Sequence, residues 1–248
     1  MDFKKIEKFL SKNLKNYDYA YITSDFRGFL IRNNAKPKDL CQNFSKILKK
    51  LKITQIVPAY SFTNKGKFHI DKTASNLGIF TKWCLKQKDF IRSEHPIFSV
   101  TASGQKKNIV KKVGKSAFGF QSIFYRLLKE KSCLIHFGRP FEYGNTIIHF
   151  TEQAVGAYYR ENKIFETKVF YKNRYVSTNY SSYVRKRNKQ RNDFISNTIK
   201  IAKIIRKKKL IKEIGNKNKL TNISVIDFKK CFEVMCEEYY KNKNIFID

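Results

Sequence analysis

The stretch NTIIHFTEQA, residues 145–154, places His149 and Glu152 three positions apart in a segment that is otherwise apolar or neutral. On a helix, residues at i and i+3 project from the same face. A carboxylate beside an imidazole fixes the tautomer of the ring and raises its basicity, which suits a general base. The alternative is an ordinary core histidine with a helix-capping acid nearby. No second cluster of His, Asp or Glu at metal-binding spacing accompanies the pair, so the sequence predicts no metal.

A second polar group lies in IRSEHPIFSVTASG, where Arg92, Ser93, His95 and Ser99 surround a proline. A residue before proline disfavours helix, so this stretch is predicted to be extended. An arginine and several hydroxyl groups in such a loop can bind phosphate or pyrophosphate through bidentate and backbone hydrogen bonds. His95 is either an active-site residue or a structural one that orients Ser99 or the loop, and we favour the structural role.

A third polar group, formed by Thr23, Ser24 and Asp25, closes the β-prone run YAYITSDFRGFL, with Gly28 behind it. A strand that ends this way can present backbone N–H groups to a ligand at the carboxyl edge of a sheet. The alternative, which the spacing alone favours, is that these side chains cap the following turn.

Alternating apolar runs and amphipathic segments predict an α/β fold, with residues 1–248 as one domain. Strands are predicted in YAYITSDFRGFL, ITQIVPAYSF and SCLIHFG, and a hairpin about a turn at Lys172 and Asn173. Helices are predicted over residues 2–15 and in KDLCQNFSKILKKL, SNLGIFTKWCLKQ, QSIFYRLLKE and NTIIHFTEQAVG, the last with Asn145 or Thr146 as N-cap. Two further helices are expected, one through NDFISNTIKIAKIIRKKKLIKEIG and one that starts at Ser224.

The basic helix in NDFISNTIKIAKIIRKKKLIKEIG has an apolar stripe, so it could make a peripheral contact with an anionic membrane. The more common use of such a helix is one face of a soluble core, and we favour it. The sequence has no 18-residue apolar stretch, and its start lacks the apolar region of a signal peptide, so a cytoplasmic protein is expected. Five scattered cysteines without a CxxC pair argue against a disulfide framework and a zinc cage.

The net charge is +32, from 52 Lys and Arg against 20 Asp and Glu. Such a chain attracts polyanions, and a basic nucleic-acid-binding protein without catalysis is the alternative function that the composition suggests. However, Lys, Asn, Ile, Phe and Tyr are abundant together, as an A/T-rich genome would produce. The lysines also occur along the whole chain rather than in one stripe, which argues against a nucleic-acid-binding face.

Taken in chain order, six motifs resemble the antibiotic N-acetyltransferase family, whose best-known members are the aminoglycoside 3-N-acetyltransferases. The motifs are ITSDFRG, IVPAYSF, SNLGIFTKW, RSEHPIFSV, GFQSIFYRLLKE and TIIHFTE, and YYRENK and VIDFKKCFEVMCEEYY also match. The most specific is RSEHPIFSV, an unbroken Arg-Ser-x-His-Pro-x-x-Ser-Val signature. The similarity runs from about residue 17 to the end. The chain departs from the family at Ile123, where a proline is usual, and in LKKLKITQIV, which lacks the usual glycines.

The resemblance implies a three-layer α/β/α sandwich with a mixed central sheet that uses acetyl-CoA to acetylate an amine. It implies His149 as the base, with Glu152 as its orienting partner or as an anchor for the acceptor's ammonium. It also implies a set of cofactor contacts, with Arg92 on a phosphate: Thr23, Ser24, Asp25, Arg92, Ser93, Ser99 and Ser122.

The charge of the chain bears on the acceptor, a small-molecule or glycan amine. Aminoglycosides are polycations, and a protein of net charge +32 repels them at long range when salt is low. An amino sugar attached to a nucleotide, a lipid carrier or a surface polysaccharide would suit a basic surface better. The sequence therefore favours an amino sugar of this kind over an aminoglycoside.

Overall fold

The structure is a computed structural model that describes residues 3–186, 194–215 and 220–248. Within these residues the helices are α1 (Phe3–Leu14), α2 (Arg27–Asn33), α3 (Pro37–Lys50), α4 (Ile79–Leu85), α5 (Ile123–Leu128), α6 (Thr146–Ala154), α7 (Ile199–Lys207) and α8 (Phe228–Lys241). The strands are β1 (Tyr19–Ser24), β2 (Thr54–Pro58), β3 (Lys67–His69), β4 (Ile91–Arg92), β5 (Val100–Ser103), β6 (Ser132–Phe137), β7 (Arg160–Phe165), β8 (Lys168–Tyr171), β9 (Arg174–Ser177), β10 (Tyr180–Arg185), β11 (Ile211–Ile214) and β12 (Ile223–Asp227). Two short 3-10 helices cover Lys107–Val110 and Phe141–Tyr143.

The central sheet has seven strands in the order β11-β12-β6-β1-β2-β5-β4. Its middle strands β6, β1 and β2 are parallel. The flanking strands β12 and β5 pair antiparallel with β6 and β2. The sheet is therefore mixed, which confirms the predicted fold class.

Helices cover both faces of this sheet because successive strand residues point to opposite sides. In β1, Ala20 and Ile22 are buried with the apolar residues of α1, α2, α3 and α4. Tyr19 and Tyr21 of the same strand are buried on the other face with residues of α5, α6, α7 and α8. The two clusters make a three-layer α/β/α sandwich, as expected.

Two smaller sheets stand apart from the central one. Strands β7 and β10 form an antiparallel pair, and β3, β8 and β9 form a three-stranded sheet. The predicted hairpin about Lys172 and Asn173 is the β8–β9 pair, and these two residues have φ of 48° and 63°. Positive φ at both central residues is what a tight two-residue hairpin turn requires.

Two predicted helices near the C-terminus are wrong. The long basic helix is only α7, and Ile211–Ile214 within it is the edge strand β11. Its predicted first residues, 192 and 193, lie outside the described residues. Ser224 lies in β12, and α8 begins at Phe228, with the Asp227 carboxylate accepting a hydrogen bond from Lys230 N at 2.8 Å.

The apolar face of α7 is buried in the core, where Ile201, Ala202 and Ile205 have no exposed surface. That face is therefore not free to lie on a membrane, contrary to the membrane interpretation of this helix. Among the helices that the structure describes, none combines the length and the apolar character needed to cross a membrane.

Candidate active site

Helix α6 begins at the carboxyl edge of the parallel strands and is joined to them by hydroxyl groups. The Tyr60 hydroxyl, just beyond β2, donates to Thr146 Oγ1 at 3.0 Å, and Tyr21 of β1 lies 2.5 Å from the Tyr60 oxygen. Burial raises the pKa of Tyr60 to about 12, so its hydroxyl remains protonated at neutral pH. This chain of hydroxyls positions the first turn of α6 against the sheet.

The structure brings together His149 and Glu152, which lie on one face of α6. His149 Nδ1 is 2.8 Å from Glu152 Oε2. The histidine side chain is 31% exposed, whereas the glutamate side chain is 0% exposed. The imidazole is thus accessible to a ligand while its partner carboxylate lies beneath it.

Two residues that sequence reasoning did not assign to the site complete the surroundings of Glu152. The Tyr159 hydroxyl donates to Oε1 at 2.9 Å, and Arg160 Nε forms an ion pair with Oε2 at 2.7 Å. Burial raises the pKa of Glu152, but the hydrogen bond from His149 and the charges of His149 and Arg160 lower it, and the net pKa is below its usual value. Glu152 is therefore a buried, ionised carboxylate.

The tautomer of His149 follows from the groups around Nδ1. Arg160 Nη2 is 2.9 Å from this nitrogen, as close as Glu152 is, and one nitrogen cannot donate to the carboxylate and accept from the guanidinium at once. An ionised carboxylate is the stronger partner for an N–H group, so the proton is assigned to Nδ1. Assigning the proton to Nδ1 leaves the lone pair of Nε2 free.

A chain reversal after α6 brings Tyr159 and Arg160 to the glutamate. Gly156 has φ of 64°, in the left-handed region, and Ala157 N donates to Glu152 O at 2.9 Å. The signal that could have identified these residues is the Tyr-Arg pair of YYRENK, which matches a family pattern but does not by itself reveal the contact.

Arg92 binds carbonyl groups of neighbouring loops. Its Nε donates to Ser99 Oγ at 3.1 Å, Nη2 donates to Ala59 O at 2.6 Å, and Nη1 donates to Thr73 O. Ser99 Oγ in turn donates to Ala59 O at 2.7 Å. Burial lowers the pKa of Arg92 to about 10. Three N–H groups of this arginine, and the hydroxyl of Ser99, are thus used inside the protein.

Ser93 and His95 are also engaged by backbone groups. Ser93 N donates to Val100 O at 2.8 Å, so this N–H group is used inside the protein. His95 Nδ1 accepts from Phe98 N at 3.1 Å, and its Nε2 is 3.2 Å from Ser181 O. Burial lowers the pKa of His95 to about 4, so it is neutral at pH 7 with both nitrogens occupied. This geometry fits a structural role.

The end of β1 presents fewer free donors than predicted. Asp25 N donates to Phe137 O at 2.8 Å, so the prediction that it is free for a ligand is wrong. The Asp25 carboxylate accepts from Arg27 N and Arg27 Nε, both at 3.0 Å, and the hydrogen bonds from Arg27 lower the pKa of Asp25. For Asp25, the capping alternative describes the structure.

The remaining predicted cofactor contacts are hydroxyl groups. Thr23 Oγ1 is buried and has no hydrogen-bond partner within the described part of the chain. Ser24, the next residue, is half-buried. Ser122 is the N-cap of α5, where its Oγ accepts from Tyr125 N at 3.2 Å. Of these three, Thr23 is the one whose hydroxyl oxygen is buried without a partner among the described residues.

Aromatic rings link the two histidine-containing regions. The ring centres of His95 and Phe98 are 6.1 Å apart. Those of Phe98 and Phe118 are 4.8 Å apart, and those of Phe118 and His149 are 5.7 Å apart. The RSEHPIFSV loop therefore packs, through Phe98 and Phe118, against the ring of His149.

The five cysteines are free thiols, and four of them are buried. Burial raises the pKa of Cys41 to about 12 and that of Cys236 to about 11, so these groups are protonated at neutral pH. In the residues that the structure describes, no three His, Cys, Asp or Glu side chains are grouped as metal ligands.

Several solved structures share this fold. Aminoglycoside acetyltransferase AAC(3)-Xa matches 100% of this chain and 94% of its own at 12% identity, with a TM-score of 0.77. The apoenzyme of AAC(3)-IVa matches 99% of this chain and 91% of its own at 16% identity, with a TM-score of 0.73. YokD from Bacillus subtilis matches 95% and 99% at 14% identity, with a TM-score of 0.71. At these identities the likeness shows the fold.

The family follows from the sequence. The family model described as aminoglycoside 3-N-acetyltransferase matches residues 44–237, more than half of the chain. No curated protein sequence gives a significant match. With the matching fold, this makes the chain an N-acetyltransferase that belongs to the aminoglycoside 3-N-acetyltransferase family.

Proposed function

We propose that the protein transfers the acetyl group of acetyl-CoA to an amine, with His149 as the general base. The observation that carries this proposal is the buried, ionised Glu152 at 2.8 Å from Nδ1 of the half-exposed His149. With its proton on Nδ1, the half-exposed imidazole has the lone pair of Nε2 free to accept a proton.

The chemistry requires such a base because an amine is protonated at neutral pH and cannot attack until it loses a proton. Acetyl-CoA supplies the acetyl group as a thioester. The amine nitrogen bonds to the acetyl carbon, the carbon–sulfur bond breaks, and the sulfur leaves as a thiolate whose thiol pKa is about 8.5. His149 Nε2 takes one proton from the ammonium before the attack, and the negative charge of Glu152 stabilises the imidazolium that results. The second proton, lost from the nitrogen as the amide forms, passes to the thiolate and gives the free thiol of coenzyme A.

Thr23 fits a contact with the acetyl donor, because its buried Oγ1 is unpartnered within the described residues and lies at the end of β1. Ser24 and Asp25 border it, and Arg92 keeps N–H groups beyond the three that it uses internally, so it stays the proposed phosphate contact. We assign Ser93, Ser99 and Ser122 to support of the surrounding loops, since each hydroxyl has a protein partner.

The acceptor is proposed to be the amine of an amino sugar or an aminoglycoside-like compound. AAC(3)-IVa has been solved in complex with a gentamicin and with apramycin, which supports the aminoglycoside-like chemistry. The net charge of +32 favours an amino sugar that also carries anionic groups.

The test is thiol release from acetyl-CoA with a panel of aminoglycosides and amino sugars. His149→Ala should lower kcat by about 10²-fold or more with the best acceptor. His69→Ala, a change at a half-buried histidine in β3, is the matched control and should retain the wild-type rate. A His149→Ala enzyme as fast as wild type would refute the role of the base, and calorimetry with acetyl-CoA would show separately whether the donor binds.

A further inference from the structure

A groove of about 890 Å³ runs along the edge strand β4, away from the residues around Glu152. Its walls are the loop 70–75, helix α4, the segment that follows the 3-10 helix Lys107–Val110, and the β8–β9 hairpin. Among the described residues that line it, none is His149, Glu152, Tyr159 or Arg160. The groove therefore lies apart from the His149–Glu152 pair, but it includes Arg92, the proposed phosphate contact.

The charge of this groove is strongly positive. Two carboxylates, Asp71 and Glu94, face it. Six cationic side chains line it: Lys72, Lys82, Lys86, Arg92, Lys111 and Lys112. A concave wall of one sign focuses the field and concentrates ligands of opposite charge.

Four of these cations are exposed and are not used in ion pairs. Elsewhere, Lys49 and Lys50 lie 2.7 Å and 2.6 Å from carboxylate oxygens. We call four exposed lysines of this groove the groove lysines: Lys82, Lys86, Lys111 and Lys112. By contrast with Lys49 and Lys50, none of them forms an ion pair with a carboxylate of the described chain. No carboxylate among the described residues pairs directly with these four ammonium groups, and a bound anion would reduce their mutual repulsion.

The backbone that carries two of the groove lysines is fixed. Arg126 Nη1 donates to Lys111 O at 2.8 Å, and the same guanidinium also donates to Lys112 O. The ammonium groups therefore extend from an anchored segment, and a ligand would not have to order that backbone on binding.

The groove also offers an aromatic ring and apolar surface. Tyr171, at the end of β8, is 47% exposed, and Val176 of β9 is 40% exposed, and both line the groove. Phe90 lines it from the α4 side. An exposed aromatic ring that lines the same groove as several cations suits a ligand with a planar group next to its negative charge.

We propose that this groove binds a phosphate-bearing small molecule, whose phosphates contact the groove lysines and whose planar or apolar part packs on Tyr171. A polycation would be repelled here. The phosphates could belong to the acetyl donor or to a phosphorylated acceptor, and the chemistry is the same for both. The statement concerns binding alone, so it does not depend on the proposed reaction.

The test is isothermal titration with pyrophosphate, coenzyme A and UDP-glucosamine at 0.15 M salt, where the Debye length is about 8 Å and diffuse attraction is screened. The groove variant is Lys82→Gln/Lys86→Gln/Lys111→Gln. The matched control is Lys5→Gln/Lys8→Gln/Lys12→Gln, which removes the same charge from exposed positions of α1. The groove variant should weaken binding by about tenfold or more, and the control by less than about threefold.

The ligands separate the two sources. Weakened binding of coenzyme A in the groove variant assigns the phosphates to the donor, and weakened binding of UDP-glucosamine assigns them to the acceptor. Tyr171→Ala should weaken these two ligands and spare pyrophosphate. Equal weakening by the groove and control variants, or no binding of any of the three ligands to the wild type, would overturn the proposal.

Discussion

Arg160 stabilises the fully buried, ionised Glu152 beside His149. Its side chain is 5% exposed, and it offers one positive charge to Glu152 and one N–H to Tyr183 O. Without it, only the hydrogen bonds from His149 and Tyr159 would offset the desolvation cost of the buried carboxylate.

Tyr159→Phe tests the hydrogen bond that holds the other oxygen of Glu152. The Tyr159 hydroxyl is buried and donates to an ionised oxygen at 2.9 Å, so its loss should lower the free energy of unfolding by about 1.5–3 kcal/mol. Tyr183→Phe is the control, because that hydroxyl donates at 2.9 Å to a neutral carbonyl, Ala157 O, and should cost about 0.5–1.5 kcal/mol. Urea unfolding measures both, and equal losses would contradict a charged acceptor.

Local spacing was enough to predict the contact between His149 and Glu152, since one helical turn determines it. It could not predict Arg160, which reaches the glutamate only after the chain reverses at Gly156. Nor could it tell a ligand contact from an internal one. Arg92 has the residue type that binds phosphate, yet three of its N–H groups serve loop groups whose positions depend on the tertiary fold.

At the scale of elements, the alternation of strands and helices through α6 was predictable because each segment has its own periodicity and boundary residues. The predictions failed where a segment takes its structure from a distant partner. The β11 segment IKEI contains charged residues and is a strand because it pairs with β12. The strand β12, ISVID, lies between β11 and β6, and four apolar or small residues before an aspartate do not distinguish a strand from the start of a helix.

The N-terminus of α8 gives an element-scale prediction. Asp227→Ala removes the cap to Lys230 N and the acceptor of the Tyr17 hydroxyl, 3.1 Å away, and should lower the free energy of unfolding by about 1–2 kcal/mol. Asp227→Asn is the control, because it keeps the side-chain oxygen that accepts the hydrogen bond, and should cost less than about 0.5 kcal/mol. Thermal unfolding of both variants checks this, and a loss in the asparagine variant as large as in the alanine variant would show that the charge, rather than the cap, matters.

For the whole molecule, the charge of +32 looked evenly spread along the sequence, but folding concentrates part of it. The lysines of the groove come from segments separated in the chain, α4 and the residues after the 3-10 helix Lys107–Val110, and only the tertiary structure brings them together. Because the chain belongs to an enzyme family, this local concentration is better explained by a small anionic ligand than by a general affinity for nucleic acid.

Stability of the whole molecule should depend on two buried histidines. Burial lowers the pKa of His95 and of His136 to about 4 each, from the usual 6.5. Between pH 6.5 and 4 the unfolded chain binds protons at these sites and the folded chain does not, so the free energy of unfolding falls as the pH falls. Each histidine should contribute a loss of about 2 kcal/mol between about pH 7 and pH 5.

The lowered pKa of Glu152 acts in a different window, because stability from an ionised carboxylate is lost only as the pH falls below its usual value of 4.5. The loss between pH 7 and pH 5 is therefore assigned to the histidines, and burial of Glu94, which raises the pKa of that carboxyl, acts in the opposite direction. Urea unfolding at these two pH values should show a loss of about 4 kcal/mol in the wild type and about half of that in His95→Gln. The glutamine side chain of this variant would not titrate, while its amide can still donate to Ser181 O as the imidazole does. An unchanged pH dependence in this variant would mean that His95 has the same pKa in the folded and unfolded chains. Water would then have to reach the ring and solvate its charged form.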